Sequence, residues 1–178
     1  MRGWIAGGVM VAVVLAAASV AMAGEPGAAT APREPSTELA RMKQLEGLWE
    51  GTTTMADGEQ AAVVEYQVTS GGSAVVETLF PGTPEEMVSV YHDHGGRLAM
   101  THYCMLGNQP RLALVSASDD RLELSLAPDH GLADPQEQHM HALTITWTDP
   151  DHITQVWTSS SEIGQPGSTT TITLSRLR

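Results

Sequence analysis

All seven histidines of the 178-residue chain lie beyond residue 90: His92, His94, His102, His130, His139, His141 and His152. Two pairs, His92/His94 and His139/His141, have the form His-x-His. On a strand, residues two apart project from one face. His139 and His141 therefore share a face with Leu143, Ile145 and Trp147, and His102 and Cys104 share one with Leu98 and Met100. At least three imidazoles are thus in phase with core residues. Neutral imidazoles, with a thiolate or carboxylate, suit zinc, copper or iron. His102, His139 and His141 are accordingly candidate ligands of a transition metal, and a single imidazole would suffice as the axial ligand of a haem. The competing expectation is that these rings line a polar end of a cavity and contact a small hydrophobic molecule. On that reading His102, His141, Tyr91 and Arg111 are the polar contacts. His94, His130 and His152 sit at turns and are expected in solvent.

Several facings stay open at this level. Val75-Glu77-Leu79 and Ala74-Val76-Thr78-Phe80 are both plausible inner sets, so Glu77 and Tyr91 are possible additional contributors. A one-residue slip at the Gly95-Gly96 turn would flip His92 to the other face. Cys104 is the sole cysteine, which rules out an intrachain disulfide and a four-cysteine zinc site; its simplest role is that of a small buried hydrophobe. No Gly-x-Ser-x-Gly elbow, His-Glu-x-x-His helix, phosphate loop or Gly-x-Gly-x-x-Gly turn is present. Catalysis by the same histidines is neither supported nor excluded, because triads assemble from distant positions.

The elements that must position these residues are short and mostly extended. Ser36 or Thr37 can cap a brief helix carrying Leu39, Met42 and Leu45, which ends at Gly47. Ten alternating runs follow, separated by turn residues: 48–56, 62–69, 73–80, 87–92, 97–105, 111–117, 121–127, 139–148, 152–160 and 169–177. No connection is long enough to carry a crossover helix, so an antiparallel meander is expected. A meander leaves two free edges unless it closes on itself. The fold class expected is therefore all-β: an antiparallel up-and-down β-barrel of about ten strands with a short N-terminal helix. Side chains can still fill a barrel of about eight strands, so ten should leave a cavity.

Gly47-Leu48-Trp49-Glu50-Gly51 precedes the first strand proper, and Ser175-Arg176-Leu177 closes the last. In a closed barrel these segments are neighbours, and an Arg stacked on a Trp at the floor would staple first strand to last. Gly47, Trp49 and Arg176 are thus the structural residues of interest. With the helix and the meander over 36–178, this arrangement resembles the calycin superfamily of lipocalins, fatty-acid-binding proteins and small bacterial barrels. The resemblance implies a ligand cavity. Lipocalins often carry disulfides, which this chain cannot form, and no motif locates the paired basic residues that hold a fatty-acid carboxylate. Thr101-His102-Tyr103-Cys104 and Gly107-Asn108-Gln109-Pro110-Arg111 also look like stretches of an exported bacterial family of uncharacterised function.

The N-terminal region and the charge bound the setting. Arg2, an uncharged run from Trp4 to Ala23 and the ending Ala21-Met22-Ala23 form a secretory signal pattern over residues 1–23. Residues 24–35 read as a flexible Gly/Ala/Pro tether, and 36–178 as the barrel domain. An exported protein, periplasmic or extracellular, with no stable membrane anchor after cleavage is the expectation. Twenty-one acidic residues against nine basic ones give a net charge of −12. That sign argues against nucleic acid and anionic headgroups, which need Lys and Arg to neutralise phosphate. Aromatics are 4% of residues, too sparse for a base-stacking platform.

Overall fold

The computed structural model describes residues 34–55, 58–134, 136–160 and 167–178. The secretory segment expected over 1–23 and nearly all of the tether expected over 24–35 lie outside the described residues. The remainder is one helix, α1 (Thr37–Lys43), followed by ten strands: β1 (Gly47–Met55), β2 (Gly58–Thr69), β3 (Ala74–Leu79), β4 (Met87–His94), β5 (Arg97–Tyr103), β6 (Arg111–Ala117), β7 (Arg121–Leu126), β8 (His139–Asp149), β9 (His152–Ser160) and β10 (Thr169–Arg176). Each strand pairs antiparallel with its sequence neighbours, and β1 pairs with β10, so the sheet is a closed barrel. Closure removes both edges that a ten-strand meander would otherwise present to solvent.

The closing seam explains the Gly-x-Trp segment. Trp49 and Arg176 are direct cross-strand partners, and Gly51 lies opposite Leu174. A Cβ on Gly51 would sit 1.8 Å from the carbonyl oxygen of Thr173, so only glycine lets the first and last strands approach this closely. The Arg176 guanidinium carbon stands 4.4 Å from the Trp49 ring centroid. Its Nη1 and Nη2 donate to the carbonyls of Glu46 and Gln44, each at 2.7 Å. Gln44 is the C-cap of α1, so one side chain joins the last strand, the first strand and the helix end, whose carbonyls have no intrahelical donor. Trp49 Nε1 in turn donates to Leu45 O at 2.8 Å.

Helix α1 closes this end of the barrel. Ser36 is its N-cap, accepting from Leu39 N, while its own N–H and hydroxyl both donate to the Asp93 carboxylate at 2.6 Å. Leu39, Met42 and Leu45 are buried in one cluster with Trp49, Leu98 and Leu122. Inward faces are read from the burial alternation: Val64 and Tyr66 on β2, Leu98 and Met100 on β5, Leu143 and Ile145 on β8, Ile172 and Leu174 on β10. Three bulges interrupt it. One falls on β6 between Leu114 and Ser116; the second falls on β8 between Met140 and Ala142, leaving His141 as the extra residue, and the third on β8 between Trp147 and Asp149. A bulge reverses the facing of what precedes it, and the second one decides where the histidine pair points. Among the described residues, no helix is long and apolar enough to cross a membrane.

Candidate functional site

The core holds a polar row that runs across four strands. Tyr66 on β2 is the register partner of Glu77 on β3, Glu77 of Ser89 on β4, and Ser89 of His102 on β5. All four are at most 1% exposed. Register partners on one face sit within side-chain reach of each other, so the strand pairing itself assembles the row. The inner set on β3 is therefore Val75-Glu77-Leu79, and Tyr91 faces inward while His92 faces out.

Glu77 is the acceptor at the centre. Tyr66 and Tyr91 donate their hydroxyls to its two oxygens at 2.8 and 2.9 Å. Gln155, from β9 on the opposite wall, donates through Nε2 to Glu77 Oε1 and to Tyr66 Oη. The orientation of that amide is set by Trp157, whose Nε1–H can only donate and does so to Gln155 Oε1 at 2.9 Å. Burial pushes the Glu77 carboxyl up from its ordinary value, opposed by hydrogen bonds from Gln155, Tyr66, Tyr91 and Ser89. Burial, then the neighbouring Glu77 charge, hold both tyrosines well above the usual phenol range, so they remain donors. The middle of the barrel is thus filled by a connected polar network rather than left empty, which narrows the cavity expected from ten strands to one end.

His102 connects that network to the cavity. Its Nδ1 lies 3.0 Å from Ser89 Oγ, and its ring packs on Trp157 with centroids 4.8 Å apart. Burial lowers its pKa from 6.5 to about 4, so the ring is neutral at physiological pH. The Ser89 contact uses one ring nitrogen and leaves Nε2 to find its partner elsewhere. Nε2 is buried and has no hydrogen-bond partner.

The cavity beside it holds about 220 Å³. It opens at the end of the barrel opposite α1, with Leu79, Phe80 and Met87 on one wall and Met140 and Ile172 on another. Phe80 has φ 54°, uncommon for a residue with a side chain. Cys104, Met105 and Leu106 form part of the rim, and the last two are more than half exposed. Burial raises the Cys104 thiol, so it is held protonated. A larger cleft of about 410 Å³ lies at the α1 end, where Arg41 stacks on Trp147 at 4.9 Å. None of the orphaned buried polar atoms lines it.

The sequence-derived candidates separate clearly in space. His102 and Cys104 line the cavity as their phase required. Tyr91 is fully buried, but its hydroxyl is engaged by Glu77 and it does not line the cavity. His139 and His141 do not share the inward face with Leu143 and Ile145. The bulge at His141 places Met140 opposite Ser159 and on the cavity wall instead. His139 is buried with Nδ1 2.7 Å from Glu137 O, and His141 Nδ1 stands 3.5 Å from His139 Nε2. Among the described residues no group of three or more His, Cys, Asp and Glu is placed to hold a metal ion, so His102, His139 and His141 do not form a common centre. Arg111 lies away from the cavity, its Nε donating to Asp129 O at 2.6 Å and its guanidinium paired with the Asp129 carboxylate. His94 and His152 are exposed as expected, whereas His130 is half-buried and accepts from Leu132 N.

No protein-family model matches the chain, and no curated protein does. Among solved structures it is similar to a protein of unknown function of the DUF3598 family from Nostoc punctiforme, at 16% identity and a TM-score of 0.52. That match covers 84% of this chain and 53% of the other, so the chain spans about half the length of that relative. It is also similar to Rv2717c from M. tuberculosis, at 13% identity and a TM-score of 0.52, over 82% of this chain and 100% of the other. These likenesses show the barrel fold alone.

Proposed function

We propose that this is an exported, calycin-like barrel that binds a small, mostly apolar molecule at its open end, with His102 as the polar contact. The observation that carries the reading is the His102 Nε2 atom, buried without a partner beside an apolar cavity. A buried polar atom left unpaired costs about 1–3 kcal/mol, a cost that a bound molecule offering a complementary group removes. Apolar walls supply affinity and one oriented polar group supplies selection, the usual division of labour in ligand sites. The exported setting rests on the signal pattern over residues 1–23. Native mass spectrometry of protein purified from its own host tests the proposal. A retained small molecule that is lost in His102→Ala supports it; wild-type protein at its bare mass that also gains no thermal stability from apolar probes counts against it.

The same unpartnered nitrogen supports a second reading, in which His102 is the single protein ligand of a haem or another metal-centred group. A haem is far larger than a cavity of about 220 Å³, so this reading requires the rim at Met105 and Leu106 to move outward. An absorption spectrum after haemin addition, compared between wild type and His102→Ala, separates it from the first.

A further inference from the structure

We propose that the bulge at the start of β8 is a metal site: His139 Nε2 and His141 Nδ1 together take one divalent ion of the zinc or copper kind, and water completes its coordination. The site stands apart from the cavity. Gln138 and Met140 line that cavity, whereas the two histidines alternating with them do not.

Three observations carry the assignment. First, a hydrogen bond fixes the state of the inner ring. His139 Nδ1 stands 2.7 Å from Glu137 O. A backbone carbonyl can only accept, so Nδ1 holds the proton and, in the neutral ring, Nε2 is a lone pair. A carbonyl on the other ring nitrogen is one of the usual ways in which a ligating histidine is oriented. Second, another imidazole nitrogen lies beside that lone pair. His141 Nδ1 is 3.5 Å from His139 Nε2, long for a hydrogen bond. Two nitrogens held at about 2.0–2.1 Å from one tetrahedral ion stand about 3.3–3.4 Å apart. Third, Glu137, whose carbonyl orients His139, has its Oε1 buried without a hydrogen-bond partner, and a nearby cation offsets the cost of burying such an oxygen. Among the described residues no three His, Cys, Asp or Glu side chains converge as ligands, so the chain gives the ion two nitrogens and Glu137 acts through its charge.

The bulge builds the pair. Met140 is the register partner of Ser159 and Ala142 of Thr158, so His141 is paired with no residue of β9. A bulge re-aims the side chain of its extra residue, here toward His139. His139 is buried and His141 half-buried, so an ion reaches the pair from the His141 side. Burial, then the neighbouring His139, hold the His141 pKa below its ordinary value, so protons compete weakly with a metal there. Imidazole nitrogens select zinc or copper over calcium and magnesium, which prefer oxygen.

Calorimetry and imidazole ¹⁵N spectra of the chelator-treated barrel, titrated with zinc chloride at neutral pH, test the inference. The expected result is one ion per chain, with the His139 Nε2 and His141 Nδ1 resonances moving together. His139→Ala and His141→Ala should each weaken binding by about tenfold or more, since losing even an orienting partner costs that much. His139 is buried, so its variant can fold poorly; the half-buried His141 and the wild-type spectrum keep the test decisive. No zinc bound, full binding in His141→Ala, or shifts confined to His102 or His152 overturns the site. 4-Methylphenol, a compact apolar probe of the cavity, is titrated in parallel to keep the two readings apart. Phenol bound with zinc refused overturns the metal site alone, and zinc bound with phenol refused upholds it while counting against the cavity.

Discussion

Ser89 Oγ and His102 Nδ1 lie 3.0 Å apart across directly paired positions of β4 and β5. Through this contact a network filling the centre of the barrel meets a ring at the edge of its cavity. Four consequences can be measured.

The first is a dependence of stability on pH. Burial lowers the His102 pKa to about 4, so between that value and 6.5 the unfolded chain binds a proton that the folded chain refuses. The contribution is fully present above 6.5 and is lost as pH falls through the window, roughly 3 kcal/mol in all. Urea denaturation across this range should show a shallower acid loss in His102→Gln than in wild type. Parallel curves would mean that the ring is hydrated.

Glu77 acts with the opposite sign. Its folded pKa is raised above the ordinary 4.5 by burial, so the folded state holds the proton more tightly and stability falls as pH rises through that shifted value. Glu77→Gln should therefore gain on wild type as pH rises. Glu77→Leu removes the acceptor for Tyr66, Tyr91 and Gln155 together, and at about 1–3 kcal/mol for each orphaned group it should lose at least 3 kcal/mol. Equal stability of the Leu variant would show that these groups find other partners.

The seam between β1 and β10 sets a third expectation. Gly51→Ala drives a methyl into the backbone of Thr173, and overpacking of this kind costs about 1–3 kcal/mol or more because backbone must move. Arg176→Ala loses the stack on Trp49 and the bonds to Gln44 and Glu46, for about 2–4 kcal/mol. Arg176→Lys should recover only part, since an ammonium lacks the planar fork. Chemical denaturation measures all three.

A fourth concerns residues that the alternation pattern puts forward and the folded chain sets aside. His141→Ala and Arg111→Ala should leave 4-methylphenol affinity within about twofold of wild type, because neither lines the cavity. A loss from either as large as that in His102→Leu would place the binding site elsewhere.

What could be read from the sequence follows the physics of each signal. Alternation and turn residues delimit ten strands, because period two and glycine-rich punctuation are local, and the need to abolish edges supplies closure. Trp49 and Arg176 could be paired because closure makes the termini neighbours. His102 was legible because nothing interrupts β5 between Leu98 and Cys104. The phase of His141 fails at a single inserted residue on β8, which no composition rule announces. Glu77, Ser89 and Gln155 share one signal that a stricter reading would use: each is a polar residue in phase with buried apolar neighbours, as Gln155 is between Ile153 and Trp157. That they meet across the lumen depends on register, which no single strand encodes.

The most direct test is the imidazole ¹⁵N spectrum of His102 at neutral pH, recorded before and during addition of 4-methylphenol. The account predicts a neutral ring whose Nε2 resonance moves as the bound molecule takes the partner that Nε2 lacks. A charged imidazolium in the free protein, or an Nε2 resonance that stays fixed while the phenol binds, would contradict it.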